Sequence, residues 1–397
     1  MKPVNVSDYR ELARRRLPKI FFDYIDGGSF DEVTMRANRA DFGDFELKQH
    51  VLVEPKPQDL SASYLGVRHP LPFMLGPVGF LGLYTGNGEI KAVRAAHAAN
   101  IPFCLSTFSI ASLTDLRAQT KGPLHFQLYV LEDRTLCEEL LVAAEQAGVD
   151  TLFVTVDTAI TGIRERDVRN GFRSLTRMTP GLFARLSLRP RWLAEMALGG
   201  MPSVRAIEHR PEFGRGALEQ ATNLSRGIDK SLSWKDLAWL RERWTGKLVV
   251  KGVLSADDAV KAQGIGCDGV VISNHGGRQL DGASSTIRSL TGIRASVGPD
   301  FCLMLDGGIR RGTDIIKAIG LGADGVMLGR AYAYGLSAAG EHGVAGVIAI
   351  LEKEVSVSLA LMGIASIDEL KARGQDVVMR EETLRPSFSR IHLAQTG

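Results

Sequence analysis

Eight short apolar runs recur along this chain, and most successive runs are separated by a stretch of helical composition. A strand followed by a helix, repeated eight times, predicts an α/β fold of the (β/α)8 TIM-barrel type in preference to an open sheet. No G-x-G-x-x-G opens a helix after the first run, which also disfavours a dinucleotide-binding open sheet. The runs span residues 73–75, 102–105, 124–128, 151–156, 248–251, 269–272, 302–305 and 325–328.

Two segments lie outside this repeat. Residues 1–60 have the composition of an N-terminal helical segment, and the barrel itself is expected over residues 70–360. Residues 160–235 separate the fourth and fifth runs by far more chain than one helix needs, and connections of that length usually carry a function. We therefore predict an insert over residues 170–220 within a single domain spanning 1–397, because barrels of this type often exceed about 200 residues.

Composition excludes several classes of protein. The formal net charge of +3 is too small to predict a nucleic-acid partner. The four cysteines are far apart and form no C-x-x-C pair, so the sequence predicts neither a metal site nor a disulfide framework. The first residues contain no apolar signal-peptide core, and no uncharged run reaches the ~18 residues that would span a bilayer. A cytoplasmic protein is the resulting expectation.

The ten residues Ser-Asn-His-Gly-Gly-Arg-Gln-Leu-Asp-Gly, at positions 273–282, follow the sixth apolar run. A histidine can move a proton and an arginine can hold a carboxylate through its planar fork. His275 and Arg278 therefore suit chemistry on a small organic anion. A lone histidine in a glycine-rich loop is usually a solvated turn residue, so this interpretation depends on other polar groups that converge on the same place.

Polar or glycine residues follow the other runs too, and in (β/α)8 barrels the carboxyl ends of the strands form the active site. The loops after strands seven and eight commonly bind phosphate there, through backbone N–H groups and arginines. Uncharged polar side chains can bond the edge of a heteroaromatic ring, and a lysine can stabilise negative charge on it. A phosphorylated, ring-bearing cofactor with a hydroxylated chain fits FMN. The residues concerned are Pro77, Val78, Gly79, Ser106, Gln127, Thr155, Lys251, Ser273, Asp306, Gly307, Gly308, Arg310, Gly329 and Arg330.

With these residues in view, the sequence resembles the FMN-dependent 2-hydroxy acid oxidising family, which includes glycolate oxidase, L-lactate dehydrogenase and mandelate dehydrogenase. The resemblance extends from about Tyr9 to about Leu361. Its most specific motif is Ser-Asn-His-Gly-Gly-Arg-Gln-Leu-Asp, and three shorter motifs support it. These are Gln-Leu-Tyr at 127–129, Thr-Val-Asp at 155–157 and Asp-Gly-Gly-Ile-Arg at 306–310.

The resemblance implies a role for each matching residue. His275 would be the active-site base, and Asp157 would orient it and stabilise its charged form. Arg278 and Arg164 would clamp the substrate carboxylate, while two tyrosines would bond the substrate. Lys251 would lie near the flavin N1/O2 edge, Ser106, Gln127 and Thr155 would bind the ring, and the last two loops would take the phosphate. The two tyrosines are Tyr24 and Tyr129.

The residues alone leave three of these assignments open. Tyr24 lies among apolar neighbours and could be a core aromatic. Arg164 belongs to the charged run Arg-Glu-Arg-Asp at 164–167, which would usually form a solvated face, and Thr155 could be an ordinary strand residue. For these three positions only the resemblance indicates a function.

The implied reaction converts an (S)-2-hydroxy acid, such as L-lactate or L-mandelate, into the 2-oxo acid. The destination of the electrons is less constrained. A membrane or respiratory acceptor such as quinone is our expectation, and a soluble oxidase that uses O2 and releases H2O2 is the alternative. Other FMN-barrel enzymes and a non-catalytic flavin-binding protein would not require His275 together with Arg278 and Arg164. Relatives in the family are commonly tetramers, so a homotetramer is implied.

The insert motivates the membrane acceptor. Residues 173–215 contain eight arginines and three acids, interleaved with large apolar residues. Basic residues beside an apolar face suit attachment to an anionic membrane, and the resemblance to mandelate dehydrogenase implies the same for this region. The expected location is therefore the cytoplasm, with peripheral contact to the inner face of the cell membrane. A lid or a subunit contact is the alternative. The apolar residues are Leu182, Phe183, Leu186, Leu188, Trp192, Leu193, Met196 and Leu198.

Overall fold

The computed structural model describes residues 2–54, 56–172, 181, 186–199 and 202–380. Eight parallel strands close into a barrel in which each strand pairs with its neighbours along the chain and β8 pairs with β1. The predicted (β/α)8 barrel is therefore confirmed, and each strand begins and ends close to its predicted run. The strands are β1 (Phe73–Leu75), β2 (Phe103–Ser106), β3 (Leu124–Leu128), β4 (Thr151–Thr155), β5 (Lys247–Val253), β6 (Gly269–Ile272), β7 (Cys302–Leu305) and β8 (Gly325–Leu328).

Helices cover the outside of the barrel, which explains why the strands are apolar along both faces. The long helix after β8 is interrupted at Ala339 and Gly340, where the backbone leaves helical geometry. The helices after β1, β2 and β3 are Gly88–Ala98, Leu113–Arg117 and Arg134–Gln146, and those before β5 are Ala217–Arg226 and Trp234–Arg243. The helices after β5 to β8 are Ala256–Gly264, Thr286–Val297, Gly312–Gly320 and Arg330–Leu361.

The remaining elements frame the barrel. Helices Val6–Arg16, Lys19–Asp26 and Val33–Ala40 precede it, helices Glu165–Asn170 and Pro190–Gly199 follow β4, and Ile367–Arg373 lies near the C-terminus. Short strands Phe45–Leu47 and Val378–Arg380 pair antiparallel, as do Ala62–Tyr64 and Val67–His69. Short 3-10 turns occur at Asp41–Asp44, Leu81–Leu83, Arg205–Ile207, Pro211–Phe213 and Gly374–Asp376.

The N-terminal segment lies over the carboxyl ends of the strands. Arg330, at the start of the helix after β8, donates to the carbonyl oxygens of Ile25 and Gly27 at 2.8 Å each and to that of Gly276 at 2.7 Å. Gly277 has a φ of 73°, and a Cβ there would lie 2.5 Å from the Cα of Met35. Glycine is therefore required where the loop after β6 meets the N-terminal segment. The segment is positioned to complete a site at this end of the barrel.

Helix Pro190–Gly199 of the insert docks on the protein. The Trp192 indole donates to the carbonyl oxygen of Leu83 at 3.0 Å, and its ring lies 5.2 Å from that of Phe21. Glu195 bonds Arg16 and accepts from Thr85 at 2.7 Å. The N-terminal segment and the loop after β1 therefore hold this helix in place.

This docking corrects part of the prediction for the insert. Trp192 and Leu186 are buried, so the expectation that they belong to an apolar face offered to a membrane was wrong for these two residues. Leu188 is 71% exposed. An alternating pattern shows which side chains share a face, but that face can meet protein as well as lipid. Leu182, Phe183 and the side chain of Leu198 lie outside the described residues.

Candidate active site

A cavity of about 540 Å³ opens at the carboxyl ends of the strands. Residues from the carboxyl-terminal end of each of the eight strands, or from the loop that follows it, line this cavity. Eighteen of the predicted site residues line this cavity. The other two, Asp157 and Ser273, stand behind lining residues and contact them. The lining residues are Tyr24, Pro77, Val78, Gly79, Ser106, Gln127, Tyr129, Thr155, Arg164, Lys251, His275, Arg278, Asp306, Gly307, Gly308, Arg310, Gly329 and Arg330.

His275 and Asp157 form a pair across the ends of β6 and β4. The Nδ1 atom of His275 lies 3.1 Å from Oδ1 of Asp157, which leaves Nε2 for a substrate. The backbone of His275 has a φ of 57°, a left-handed conformation that is uncommon for a residue other than glycine. The hydroxyl of Ser273 accepts from the His275 backbone N–H at 3.0 Å and supports this conformation. Such conformations cluster at functional sites.

Burial and neighbouring charges set the protonation states of His275 and Asp157. Burial lowers the pKa of His275 below its usual 6.5, Lys251 and Arg278 lower it further, and Asp157 opposes them. Burial raises the pKa of Asp157, but His275 and Lys251 outweigh that effect and leave this pKa below its usual value. Asp157 therefore stays ionised while His275 is neutral and able to accept a proton.

These pKa directions predict a pH dependence. Because proton acceptance requires neutral His275, kcat/KM should fall as the pH drops through the pKa of His275, with a midpoint below 6.5. In Asp157→Asn the midpoint should move lower still, since the carboxylate raises this pKa, and the maximum rate should also fall. A pH profile of kcat/KM for both proteins measures this. A midpoint that rises in Asp157→Asn would contradict the pairing.

Lys251, near the end of β5, contacts residues that follow β6 and β7. Its Nζ lies 2.7 Å from Oδ2 of Asp306 and donates to Ser273 at 2.9 Å. Burial lowers the pKa of Lys251, but Asp306 and Asp157 outweigh burial and leave this pKa above its usual value. A buried, charged ammonium therefore lines the cavity and can stabilise negative charge on a bound ring.

Several buried polar atoms at this end of the barrel have no hydrogen-bond partner within the described part of the chain. Among them are Nε2 of Gln127, Oγ1 of Thr155 and Oδ1 of Asp306. Buried polar groups are normally paired, so unpaired atoms that line a cavity indicate that it binds a polar ligand. Gln127 also accepts from Ser106 at 3.0 Å, which fixes the orientation of its amide. An amide donor, a hydroxyl and a carboxylate oxygen match the polar edge and the hydroxylated chain of FMN.

The loops after β7 and β8 have features that suit the predicted phosphate site. Gly307 and Gly308 have φ values of 89° and 83°, and Arg310 lines the same part of the cavity. The long helix begins at Arg330, so its first N–H groups can meet an anion. The Arg330 guanidinium, however, donates to three backbone carbonyl oxygens, and burial lowers its pKa to about 10. Arg330 therefore holds the N-terminal segment in position.

The residues predicted to bind the substrate lie around Tyr24. The Arg278 guanidinium stacks over the Tyr24 ring at 4.7 Å and donates to the Tyr24 carbonyl oxygen at 2.5 Å. The guanidinium of Arg164 lies 5.5 Å from the same ring and 3.7 Å from Asp167. Arg164 is only 8% exposed, so it does not belong to a solvated face. Two arginines and a tyrosine therefore meet at one wall of the cavity. Tyr129 also lines the cavity, and burial raises the pKa of its hydroxyl.

An aromatic cluster and one helix face complete the cavity wall, and the helix face was not predicted from the sequence. The ring of Phe172 stacks on that of Tyr24 at 4.3 Å, and Phe80 and Phe108 complete an aromatic cluster. Helix Ala217–Arg226 contributes one face with the spacing i, i+3, i+4, i+7, which could have been found in the sequence. The residues on this face are Leu218, Ala221, Thr222 and Ser225.

Asn38, in the N-terminal helix Val33–Ala40, was also missed. Its amide and that of Asn274 bond each other reciprocally at 2.7 and 2.8 Å, and both residues are buried. Oδ1 of Asn274 accepts from the N–H of Gly277 at 3.0 Å. A Cβ on Gly308 would lie 1.8 Å from the Asn38 carbonyl oxygen. Asn38 therefore packs against both the loop that carries His275 and the loop expected to hold phosphate.

Removing this amide pair should cost stability. In Asn38→Ala the buried amide of Asn274 loses both bonds to Asn38 and keeps those to Ser284 and Gly277. We expect this loss to lower the free energy of unfolding by about 1–3 kcal/mol. Denaturant unfolding of Asn38→Ala, Asn274→Ala and the double variant measures this. The two losses should be strongly non-additive, because each single variant already breaks the pair. Fully additive losses would mean that the two amides act independently.

Comparison with known proteins agrees with this geometry. Residues 13–376 match the family model described as FMN-dependent dehydrogenase. The chain belongs to this family. FMN is therefore its cofactor, and the protein is an oxidoreductase. The unpaired atoms of Gln127, Thr155 and Asp306 suit that cofactor.

Relatives of the family resemble the chain over nearly its whole length. It is 44% identical over 370 residues to an L-lactate dehydrogenase of Caulobacter vibrioides, covering 92% of this chain and 96% of that protein. The structure of a monotopic membrane protein, (S)-mandelate dehydrogenase, superposes with a TM-score of 0.91 at 39% identity and covers 96% and 100% of the two chains. Mandelate oxidase with (S)-4-hydroxymandelic acid superposes with a TM-score of 0.81 at 31% identity over 93% and 98%.

Proposed function

We propose that this protein oxidises a small (S)-2-hydroxy acid, similar to L-lactate or L-mandelate, to the 2-oxo acid. The observation that carries the proposal is the meeting of the His275–Asp157 pair with Arg278 and Arg164 in one cavity. An anion clamp beside a neutral base suits an organic acid that must lose a proton. The relatives named as L-lactate dehydrogenase and (S)-mandelate dehydrogenase support the substrate class.

The residues would act on the substrate in a defined order. Arg278 and Arg164 hold the carboxylate, which fixes the α-carbon in the cavity. Nε2 of His275 accepts the proton, and Asp157 stabilises the imidazolium that forms. FMN, when bound, would supply the electron sink that takes up the two electrons and the second hydrogen lost by the substrate. Gln127, Thr155 and Asp306 would hold it, and Lys251 would stabilise negative charge on its ring.

An assay of product formation tests the reaction. Purified protein supplied with FMN and an artificial dye acceptor is incubated with L-lactate, L-mandelate and glycolate, and with the corresponding (R)-acids where they exist. The 2-oxo acid should form from at least one (S)-acid and dye should be reduced in equal amount. Failure with the whole panel would contradict the proposed substrate class.

The proposed electron acceptor is quinone or another membrane acceptor, reached through peripheral contact with the cell membrane by residues 173–215. A structural neighbour described as a monotopic membrane protein supports this proposal, as does the basic composition of the segment. Among the described helices, none is both long and apolar enough to cross a bilayer. A soluble oxidase that reduces O2 remains the second candidate, because a mandelate oxidase shares the fold.

Fractionation of cells broken without detergent separates the two acceptors. The membrane proposal predicts that the protein sediments with membranes and consumes O2 slowly when given substrate. A protein found wholly in the supernatant that rapidly converts O2 into H2O2 would instead establish the oxidase. We also propose that the protein is a homo-oligomer, in keeping with the tetramer implied by the family.

A further inference from the structure

Asp26 is a buried carboxylate that lies two residues beyond Tyr24 and takes no direct part in the proposed reaction. Its side chain is only 5% exposed, yet it accepts hydrogen bonds from three other side chains. Arg10 donates to both carboxylate oxygens at 2.6 and 2.8 Å. Arg166 donates to Oδ2 at 3.0 Å, and the Tyr334 hydroxyl donates to Oδ1 at 2.8 Å. We call Asp26 and these three partners the Asp26 cluster.

The partners in the cluster keep Asp26 ionised and hold it in one orientation. Burial raises the pKa of Asp26, but the hydrogen bonds and charges of its partners outweigh burial and leave this pKa at about 2. Hydrogen bonds between ionised groups are short and strong, and a guanidinium that bonds both carboxylate oxygens also fixes their direction. The Asp26 carboxylate is therefore a rigid connection between the segments that meet at it.

The Asp26 cluster joins segments that are far apart in the chain. Arg10 belongs to the first helix, Arg166 to the helix Glu165–Asn170 after β4, and Tyr334 to the long helix after β8. Arg166 also donates to Glu32 at 2.5 Å, and Glu32 in turn accepts from the N–H of Gly28 at 3.0 Å. The helix after β4 is therefore tied twice to the N-terminal segment.

The bond between Asp26 and Arg166 connects the two segments that would hold the substrate carboxylate. Tyr24 lies two residues before Asp26, and Arg164 lies two residues before Arg166. The Arg164 guanidinium lies 5.5 Å from the centre of the Tyr24 ring, and that of Arg278 lies 4.7 Å from it. Because Tyr24 and Arg164 are each so close to one end of the bond, the bond fixes their positions relative to each other.

We propose that Asp26 is a positioning residue for the substrate carboxylate and acts through Tyr24 and Arg164. This inference rests on the proposed function and adds to it a residue outside the cavity lining. Within the described part of the chain, His275 and Asp157 make no hydrogen bond to the Asp26 cluster. Loss of the carboxylate should therefore weaken substrate binding more than it slows turnover.

The variant Asp26→Asn tests this role in the FMN-loaded protein, because it keeps the shape of the side chain and removes its charge. KM for the (S)-2-hydroxy acid should rise about 10-fold or more, while kcat changes less than about 3-fold. The dissociation constants of pyruvate and phenylglyoxylate, the 2-oxo counterparts of lactate and mandelate, should rise with KM when measured by the change in the FMN spectrum. The pH midpoint of kcat/KM, which His275 sets, should stay as in wild type.

Asp324→Asn is the matched control. Asp324 is another largely buried aspartate held by two cations, Arg294 at 2.7 Å and Lys371 at 2.6 Å. It immediately precedes β8 and so lies at the amino end of the barrel, opposite the cavity. It should lose stability in thermal unfolding as Asp26→Asn does, yet keep the KM of wild type.

Arg166→Gln breaks the same bond from its other end and covers the case in which Asp26→Asn fails to fold. KM should rise in this variant too. The double variant of Asp26→Asn and Arg166→Gln should raise KM little further, because either single change already breaks the connection.

Three results would overturn the proposal. One is an unchanged KM in folded, FMN-loaded Asp26→Asn. Another is an equal rise of KM in Asp324→Asn, which would show only a general loss of stability. The third is full additivity of the two changes at Asp26 and Arg166. A wild type whose FMN is reduced by no (S)-2-hydroxy acid would instead contradict the proposed function, and binding of the two 2-oxo acids to the same variants would still test the positioning role.

Discussion

His275→Gln should lower kcat by roughly 10²–10⁴ and leave FMN bound, because the variant loses its proton acceptor but keeps every residue expected to hold the cofactor. Glutamine preserves polarity and approximate size, so the contact with Asp157 is the main local change. Rapid-mixing measurements of substrate oxidation, together with the visible spectrum of the purified variant, check both parts of this prediction.

His209→Gln provides the matched control for that variant. His209 is exposed, pairs with Glu139 at 3.1 Å and does not line the cavity. Its turnover should equal that of wild type. Near-normal turnover in His275→Gln would remove His275 from the mechanism, whereas loss of FMN from that variant would show a structural role instead.

Arg278→Lys should lower kcat/KM by roughly 10–100-fold, mainly through a higher KM. A lysine keeps the charge but cannot reproduce the planar fork that holds a carboxylate. It would also lose the stacking on the Tyr24 ring and the donation to the Tyr24 carbonyl oxygen, so that wall of the cavity should loosen. Steady-state kinetics over a range of substrate concentrations measures the change.

Arg169→Lys is the control for this substitution, since Arg169 is exposed and pairs with Glu165 on the surface. It should show wild-type kinetics. An unchanged KM in Arg278→Lys would mean that Arg278 does not bind the substrate carboxylate and serves only to hold the N-terminal segment in place.

The barrel was predictable from the sequence because parallel strands covered by helices are buried on both faces. Each such strand is a short apolar run, and runs such as 124–128 and 269–272 coincide with observed strands. Chemistry-bearing residues at the strand ends were predictable for the same reason. Once the strands are known, the carboxyl ends of all eight must meet at one mouth.

Features that depend on packing between distant segments were not predictable. A sequence shows that Arg330 carries a charge, but only the fold shows that its guanidinium donates to the carbonyl oxygens of Ile25, Gly27 and Gly276. Trp192 likewise has an apolar side chain that suits either lipid or protein, and the structure places it against Phe21. Asn38 gave no signal at all, because its partner lies more than two hundred residues away in the chain.

The measurement that tests the central claim most directly is the visible spectrum of the purified protein under anaerobic conditions. We predict that the protein binds FMN and becomes yellow, and that an (S)-2-hydroxy acid removes this colour while its (R)-enantiomer does not. The His275→Gln variant should lose its colour roughly 10²–10⁴ times more slowly under the same treatment. A protein that remains colourless when FMN is supplied, or that keeps its colour with every acid tested, would contradict the account.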